Sequence, residues 1–307
     1  MKEILNYSRR RFIKTSGNLA VALALNDLIS ETFFSDKSAS HKIPLYAHLW
    51  VYASRYPPDW NCTPILNDVF NDLKYSGFEG VELMEIILRQ DGAVQRLNDL
   101  IGKYLLPVIG SSYYADMWNK NKQQQILEDV ELIVERLHSV GANMLGITVG
   151  DAKHVKTEDE LDAQAELLKR IIVVCDKNNI EPNLHNHTFE VVNDMHDLKG
   201  TLKRIPGIKL GPDLNWLMRG GIDPVWFINT YGNQIVFMHI RDQDAAGKWT
   251  ETVGEGVTDF HAIANALKKM NYNGKAAVEL AFDKPPVHSV REDWKKSRKY
   301  VKKIFGW

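Results

Sequence analysis

The sequence predicts a single α/β domain, a closed (β/α)8 barrel, and three observations carry that expectation. Eight short apolar runs alternate with helical patterns from residue 43 to the end of the chain. The runs are continuously apolar rather than alternating, as strands are when helices cover the sheet. Four of them in succession end in side chains able to hold a metal: Leu184-His185-Asn186-His187, Gly211-Pro212-Asp213, Met238-His239 and Val278-Glu279. A closed ring gathers such residues at one rim, whereas an open doubly wound sheet spreads them out. The open sheet also lacks its Gly-x-Gly-x-x-Gly fingerprint after the first run.

The first strand is expected at 43–50. Thr63-Pro64 then opens a helix, Thr accepting free backbone N–H groups and Pro suiting the first helical position, and Gly77 closes it. Strand two follows at 79–83, a helix at 94–104 and strand three at 106–111. Ile126, Val130, Ile133, Leu137 and Val140 recur at helical spacing up to Gly141, and strand four lies at 144–149. Thr157 and Glu160 form a capping box for a helix whose apolar stripe is Leu161, Ala165, Leu168, Ile172 and Cys175. Strand five at 180–185 precedes a helix around 198–202, strand six at 208–213 a helix at 224–231, and strand seven at 235–240 a helix at 259–270. Strand eight is expected at 276–281, after which Ser289 and Glu292 cap a last helix that turns Val290, Trp294 and Val301 inward.

With 307 residues, 44% of them hydrophobic, the chain can bury a full core. The formal charge is -1 with acids and bases interspersed, so no basic stripe points to nucleic acid. Cys62 and Cys175 form neither a disulfide framework nor a zinc motif and read as buried or unpaired thiols. The N-terminus differs in character. Ser8-Arg9-Arg10-Arg11-Phe12-Ile13-Lys14 resembles a twin-arginine export motif, an apolar stretch covers 19–25, and Ser38-Ala39-Ser40 offers small residues for cleavage. Residues 1–40 therefore read as an export signal or disordered tail, and 41–307 as the catalytic barrel. The apolar stretch is too short for a stable membrane span. The expected location is the periplasm, with the signal either removed or kept as a tether.

The pieces Gly77-Phe78-Glu79-Gly80-Val81-Glu82-Leu83, Gly211-Pro212-Asp213, His239-Ile240-Arg241-Asp242, Gly254-Glu255-Gly256-Val257-Thr258-Asp259-Phe260 and Ala277-Val278-Glu279 resemble, in order and spacing, the xylose isomerase-like TIM barrel superfamily of sugar isomerases, epimerases and inosose dehydratases. The resemblance covers 43–305. It implies one divalent metal at the barrel mouth, held in the family by Glu, Asp, His and a second Glu. The matching positions here are His185, Asp213, His239 and Glu279, so the fifth strand offers His in place of Glu. An imidazole favours Mn, Zn, Co or Fe over Mg.

The resemblance further implies proton abstraction beside a carbonyl, with Glu279 as the best base. Epimerases of this group use two metal-bound glutamates on opposite faces of the substrate, and His185 breaks that symmetry. A metal-bound imidazole is a poor proton carrier, so His187 is the alternative. Glu82 is expected either to bind a sugar hydroxyl or to close a salt bridge at its strand end, and Arg241 with Asp242 either to orient substrate or to form a rim ion pair. His48, Trp50, Tyr113, Tyr114, Trp118, Trp216 and Trp249 surround the expected mouth, where sugar C–H faces stack on rings; two or three of them are expected to do so and the rest to fill the core. No Gly-rich loop precedes a helix as a phosphate cradle and no Arg–Lys cluster lies near the late strands, which favours a non-phosphorylated sugar, polyol or glycoside. The outcomes weighed are isomerisation or epimerisation, then lyase, dehydratase or hydrolase-type cleavage of a keto-sugar or 3-keto-glycoside, then a non-catalytic sugar-binding barrel. Relatives often pair through barrel rims, which makes a homo-oligomer an open alternative.

Overall fold

Apolar runs flanked by helices form parallel strands, and the computed structural model, which describes residues 42–307, shows seven of them in one sheet. They are β1 (Leu45–His48), β2 (Val81–Met84), β3 (Val108–Tyr114), β4 (Met144–Thr148), β5 (Glu181–Leu184), β6 (His239–Ile240) and β7 (Ala276–Glu279). The order is β5-β4-β3-β2-β1-β7-β6, every pairing parallel. Residues 208–213 close the ring between β5 and β6. Leu210 bridges both Leu184 and Ile235, and Asp213 bridges His239. This expected sixth strand is reduced to bridges because Gly211-Pro212 interrupts it: Pro212 has no N–H to donate, although its carbonyl still accepts from the His239 N–H at 2.9 Å. The expected leader falls within 1–41, outside the described residues. Among the described residues no helix is long and apolar enough to cross a membrane.

The long helices follow the apolar periodicity: α2 (Leu66–Ser76), α4 (Ala93–Tyr104), α5 (Gln123–Ser139), α6 (Glu158–Lys177), α9 (Pro224–Tyr231), α10 (Phe260–Lys269) and α11 (Val290–Phe305). Thr157 and Glu160 do cap α6 reciprocally, at 2.8 Å and 3.3 Å. Two expected caps do not form. The Thr63 hydroxyl accepts no N–H; Pro64 sits in a 3-10 turn over Thr63–Ile65, and Asn61 Oδ1 takes the Thr63 N–H instead. Ser289 precedes α11 with backbone bonds alone. Three short helices, α1 (Trp50–Ala53), α3 (Glu85–Arg89) and α8 (Leu214–Arg219), are absent from the sequence reading because one or two turns show no periodicity. α7 (Thr188–Arg204) starts well before the expected 198–202, broken at Val192–Met195 where Asn193, Asp194 and Met195 adopt positive φ. Cys62 and Cys175 are free and buried.

The barrel interior is layered. Tyr46, Ile109, Met144, Phe237 and Ala277 fill its lower end with apolar atoms. Above them the lumen turns polar, with Glu82, Asn183 and His239 all buried. The layers fit because glycines stand where strands crowd. A Cβ on Gly110 would lie 2.4 Å from the Met144 carbonyl oxygen of the neighbouring strand. Gly110→Ala is therefore expected to destabilise by about 1–3 kcal/mol, read in urea as a lower midpoint at unchanged slope.

Candidate active site

The C-terminal strand ends and the loops beyond them enclose a cavity of about 460 Å³, within the usual range for small-molecule sites. His185, Asp213 and His239, from three successive positions around the ring, each place one ligand-capable atom within 4.8 Å of the others, and all three are buried. Asp213 splits its carboxylate between two tasks. Oδ1 accepts the Asn215 and Trp216 N–H groups, both at 2.9 Å, and so caps α8. Oδ2 faces Arg241 Nη1 at 3.4 Å.

His239 is gripped at both ring nitrogens. Nε2 lies 2.6 Å from Glu82 Oε2, and Nδ1 lies 2.8 Å from Glu279 Oε2. The second contact lacks hydrogen-bond alignment, which leaves Nδ1 without a proper partner. Burial alone would lower the His239 pKa, but Glu82 and Glu279 outweigh it and push it up to about 10. Glu279 Oε1 meets Arg241 Nη2 at 3.3 Å. Burial would raise the Glu279 pKa, yet Arg241, with His239 beside it, holds it well below the usual carboxylate range. Asp213 goes the other way: burial, only partly offset by Arg241, pushes it up to about 6.

Imidazoles complete the floor. His48 Nδ1 accepts the Trp50 N–H at 3.3 Å, so the proton sits on Nε2, which donates to Ser112 Oγ at 3.1 Å. Burial lowers its pKa, so its 3.4 Å approach to Glu279 is not an ion pair. Burial also holds His185 neutral and pushes His187 down to about 4. His187 stacks on Phe189 at 5.5 Å and lies 5.4 Å from Trp216, on the cavity wall. Trp216 and Trp249 meet edge-on at 5.1 Å, and Arg241 lies 4.0 Å over the Trp249 ring.

Several residues sit elsewhere than the sequence reading places them. Glu82 does not reach the cavity; it lies beneath the floor, and its partner is His239, not a sugar hydroxyl. Trp118 turns away and packs edge-on against His154 at 5.9 Å. Tyr113 borders the cavity but spends its hydroxyl on Asp129 at 2.9 Å. Arg241 points inward between two carboxylates, while Asp242 accepts the N–H groups of Gly254 and Gly256, each at 2.9 Å, and of Thr258 at 3.3 Å. Glu85, Trp60, Met84, Ser112 and Thr148 also line the cavity, beyond the residues expected there. Glu85 stands two residues beyond the second apolar run at 79–83, near enough to a strand end to signal a place at the mouth.

Residues 70–304 match the xylose isomerase-like TIM barrel family. The chain belongs to that family. It is 21% identical to an inosose dehydratase of Clostridium beijerinckii over 285 residues, covering 81% of this chain and 93% of that protein. Among solved structures it is similar to a D-allulose 3-epimerase from Methylomonas sp. (15% identity, 86% of this chain and 98% of that one, TM-score 0.69) and to a 3-keto-D-glucoside 4-epimerase from E. coli (15% identity, 85% and 100%, TM-score 0.64).

The donors of this xylose isomerase-like barrel suit a divalent cation. Protein metal ligands of the His type hand their second ring nitrogen to a carboxylate, which fixes the tautomer. His239 does this through Glu82 and leaves Nδ1 facing the centre without an aligned partner. His185 and Asp213 converge on the same point, and Glu279 stands beside it. Two imidazoles in the set favour a transition ion over magnesium.

Proposed function

We propose that the protein is a divalent-metal-dependent enzyme that removes a proton beside the carbonyl of a non-phosphorylated sugar or sugar derivative, with isomerisation or epimerisation as the outcome. The observation that carries this reading is the convergence of His185, Asp213 and His239, with Glu279 adjoining, at the foot of the cavity, where His185, His239 and Glu279 line the floor and Asp213 lies buried behind them. A bound ion would supply Lewis-acid polarisation of the substrate carbonyl. Glu279 is ionised and so able to accept the proton; the neighbours that keep it ionised also make it a weak base, and the carbon acid therefore has to be activated. His187, a neutral imidazole on the cavity wall, is the second proton carrier. Trp216 offers aromatic surface to sugar C–H groups, whereas Trp249 already carries Arg219 and Arg241 at 3.4 Å and 4.0 Å from its ring centre. Among the residues lining the cavity, Arg241 is the sole Lys or Arg, and it is already shared between Asp213 and Glu279, which supports an uncharged substrate over a phosphorylated one.

A second reading, elimination from a keto-sugar or 3-keto-glycoside, draws on His185. With an imidazole where the family carries Glu, only Glu279 remains of the two glutamate bases, and elimination needs one. The inosose dehydratase relatives favour the same outcome. Incubation of metal-loaded protein with free ketoses and 3-keto-glycosides in deuterated water separates the two. Deuterium at the carbon beside the carbonyl with the skeleton intact is the expected result; release of water or an aglycone establishes the lyase, and neither signal removes catalysis altogether.

The same proposal extends to location. The twin-arginine pattern at residues 8–14 and the small residues at 38–40 support export, and fractionation of cells expressing the full chain should recover it in the periplasm.

A further inference from the structure

A second group of ligating side chains lies on the loops outside the cavity. Glu251 belongs to the loop after β6, His288 to the segment before α11, and Asp293 to the first turn of that helix. One ligand atom from each falls within 4.8 Å of the others. Asp293 is the unusual member. Its side chain is 0% exposed, and neither carboxylate oxygen has a hydrogen-bond partner. A buried carboxylate left unpartnered loses its hydration with no return. His288 Nδ1 stands 3.6 Å from Oδ1, beyond hydrogen-bonding reach, and instead meets Glu251 Oε2 at 3.2 Å, so Asp293 stays unpartnered. Glu251 brings a second negative charge to the same spot, fixed there by the Val287 N–H at 2.9 Å and the His288 N–H at 3.2 Å. Burial first, and then Glu251, push the Asp293 carboxyl up to about 6.

We propose that Glu251, His288 and Asp293 hold a second divalent cation of the zinc type, distinct from the ion proposed at the barrel mouth. A cation compensates two facing carboxylates, one of them unable to reach water. The imidazole selects zinc over calcium, which takes oxygen ligands. The ion ties the loop after β6 to the start of α11. That loop also carries Trp249, whose backbone N–H donates to Asp283 Oδ2 at 2.8 Å and whose ring forms part of the cavity wall. The cation thus holds one aromatic side of the mouth in place without touching substrate.

The test is zinc titration of the chelator-stripped full chain by calorimetry, with zinc content measured after gel filtration. Wild type should take up two equivalents. His288→Ala alters a half-exposed side chain and leaves the core intact, so it should fold and lose one equivalent, or weaken it by at least about tenfold. Asp213→Asn should lose the other, and the double variant both. Zinc should also raise the melting temperature of Asp213→Asn, and this rise should vanish when His288→Ala is added. Two equivalents in His288→Ala, or a single one in wild type that His288→Ala leaves unchanged, would overturn the proposal. A single equivalent in wild type, lost in His288→Ala and kept in Asp213→Asn, would uphold this site and remove the ion at the mouth instead.

Discussion

Asp213→Asn is expected to lower turnover by about 10³-fold or more, the loss of several kcal/mol of transition-state stabilisation, while leaving the barrel folded. Asn keeps an oxygen that can accept the Asn215 and Trp216 N–H groups, so the cap on α8 survives. The other carboxylate oxygen becomes an amide NH2. It then faces the Arg241 guanidinium with donors against donors, and it can neither neutralise a cation nor share one with His185 and His239. Arg241 retains Glu279 as its counter-ion, which limits the cost in stability. The measurements are kcat on whichever substrate the deuterium experiment identifies, metal content, and far-UV circular dichroism. A folded variant with near-normal turnover would remove Asp213 from the chemistry, and with it the claim that this cluster is the reaction centre.

The barrel was legible in the sequence because its signal is redundant: each long helix declares itself through several apolar positions, and one misplaced cap, such as that at Thr63, changes nothing downstream. Short elements carry no such redundancy. The α3 and α8 turns and the break inside α7 arise from tertiary contacts that a single run of residues does not encode. The candidate site divides along the same line. Strand ends are local features, so His185, Asp213, His239 and Glu279 could be picked out at once. Depth within the lumen is not local. In the sheet register His48 stands opposite both Glu82 and Glu279, yet Glu279 lines the cavity while Glu82 lies under it, because side chains across a coiled ring of strands do not project to the same height. Arg241 shows the same limit. Two residues beyond His239 it faces the lumen by strand parity, but its insertion between Asp213 and Glu279 depends on how closely non-neighbouring strands approach.

Glu82→Gln is the change expected to show how far this hidden layer governs the centre. Glu82 is 2% exposed, and Oε2 lies 2.6 Å from His239 Nε2. Its carboxylate draws the ring proton to Nε2, so that Nδ1 is the nitrogen presented to the proposed ion, and its charge makes the imidazole a stronger donor. Gln has the same length and can still accept from Nε2–H through its carbonyl, so the ring stays in place and packing is preserved. The charge is gone, and the amide can equally turn its NH2 toward the ring and favour the wrong tautomer. Removal of an outer carboxylate of this kind costs about 10–100-fold in metal affinity. Manganese or zinc titration in the His288→Ala background confines the reading to the mouth, and turnover at saturating metal should recover more fully for Glu82→Gln than for Asp213→Asn. Equal affinity for Glu82→Gln and its parent would mean that His239 does not bind through Nδ1, and that the short contact with Glu82 serves only to neutralise a buried imidazolium.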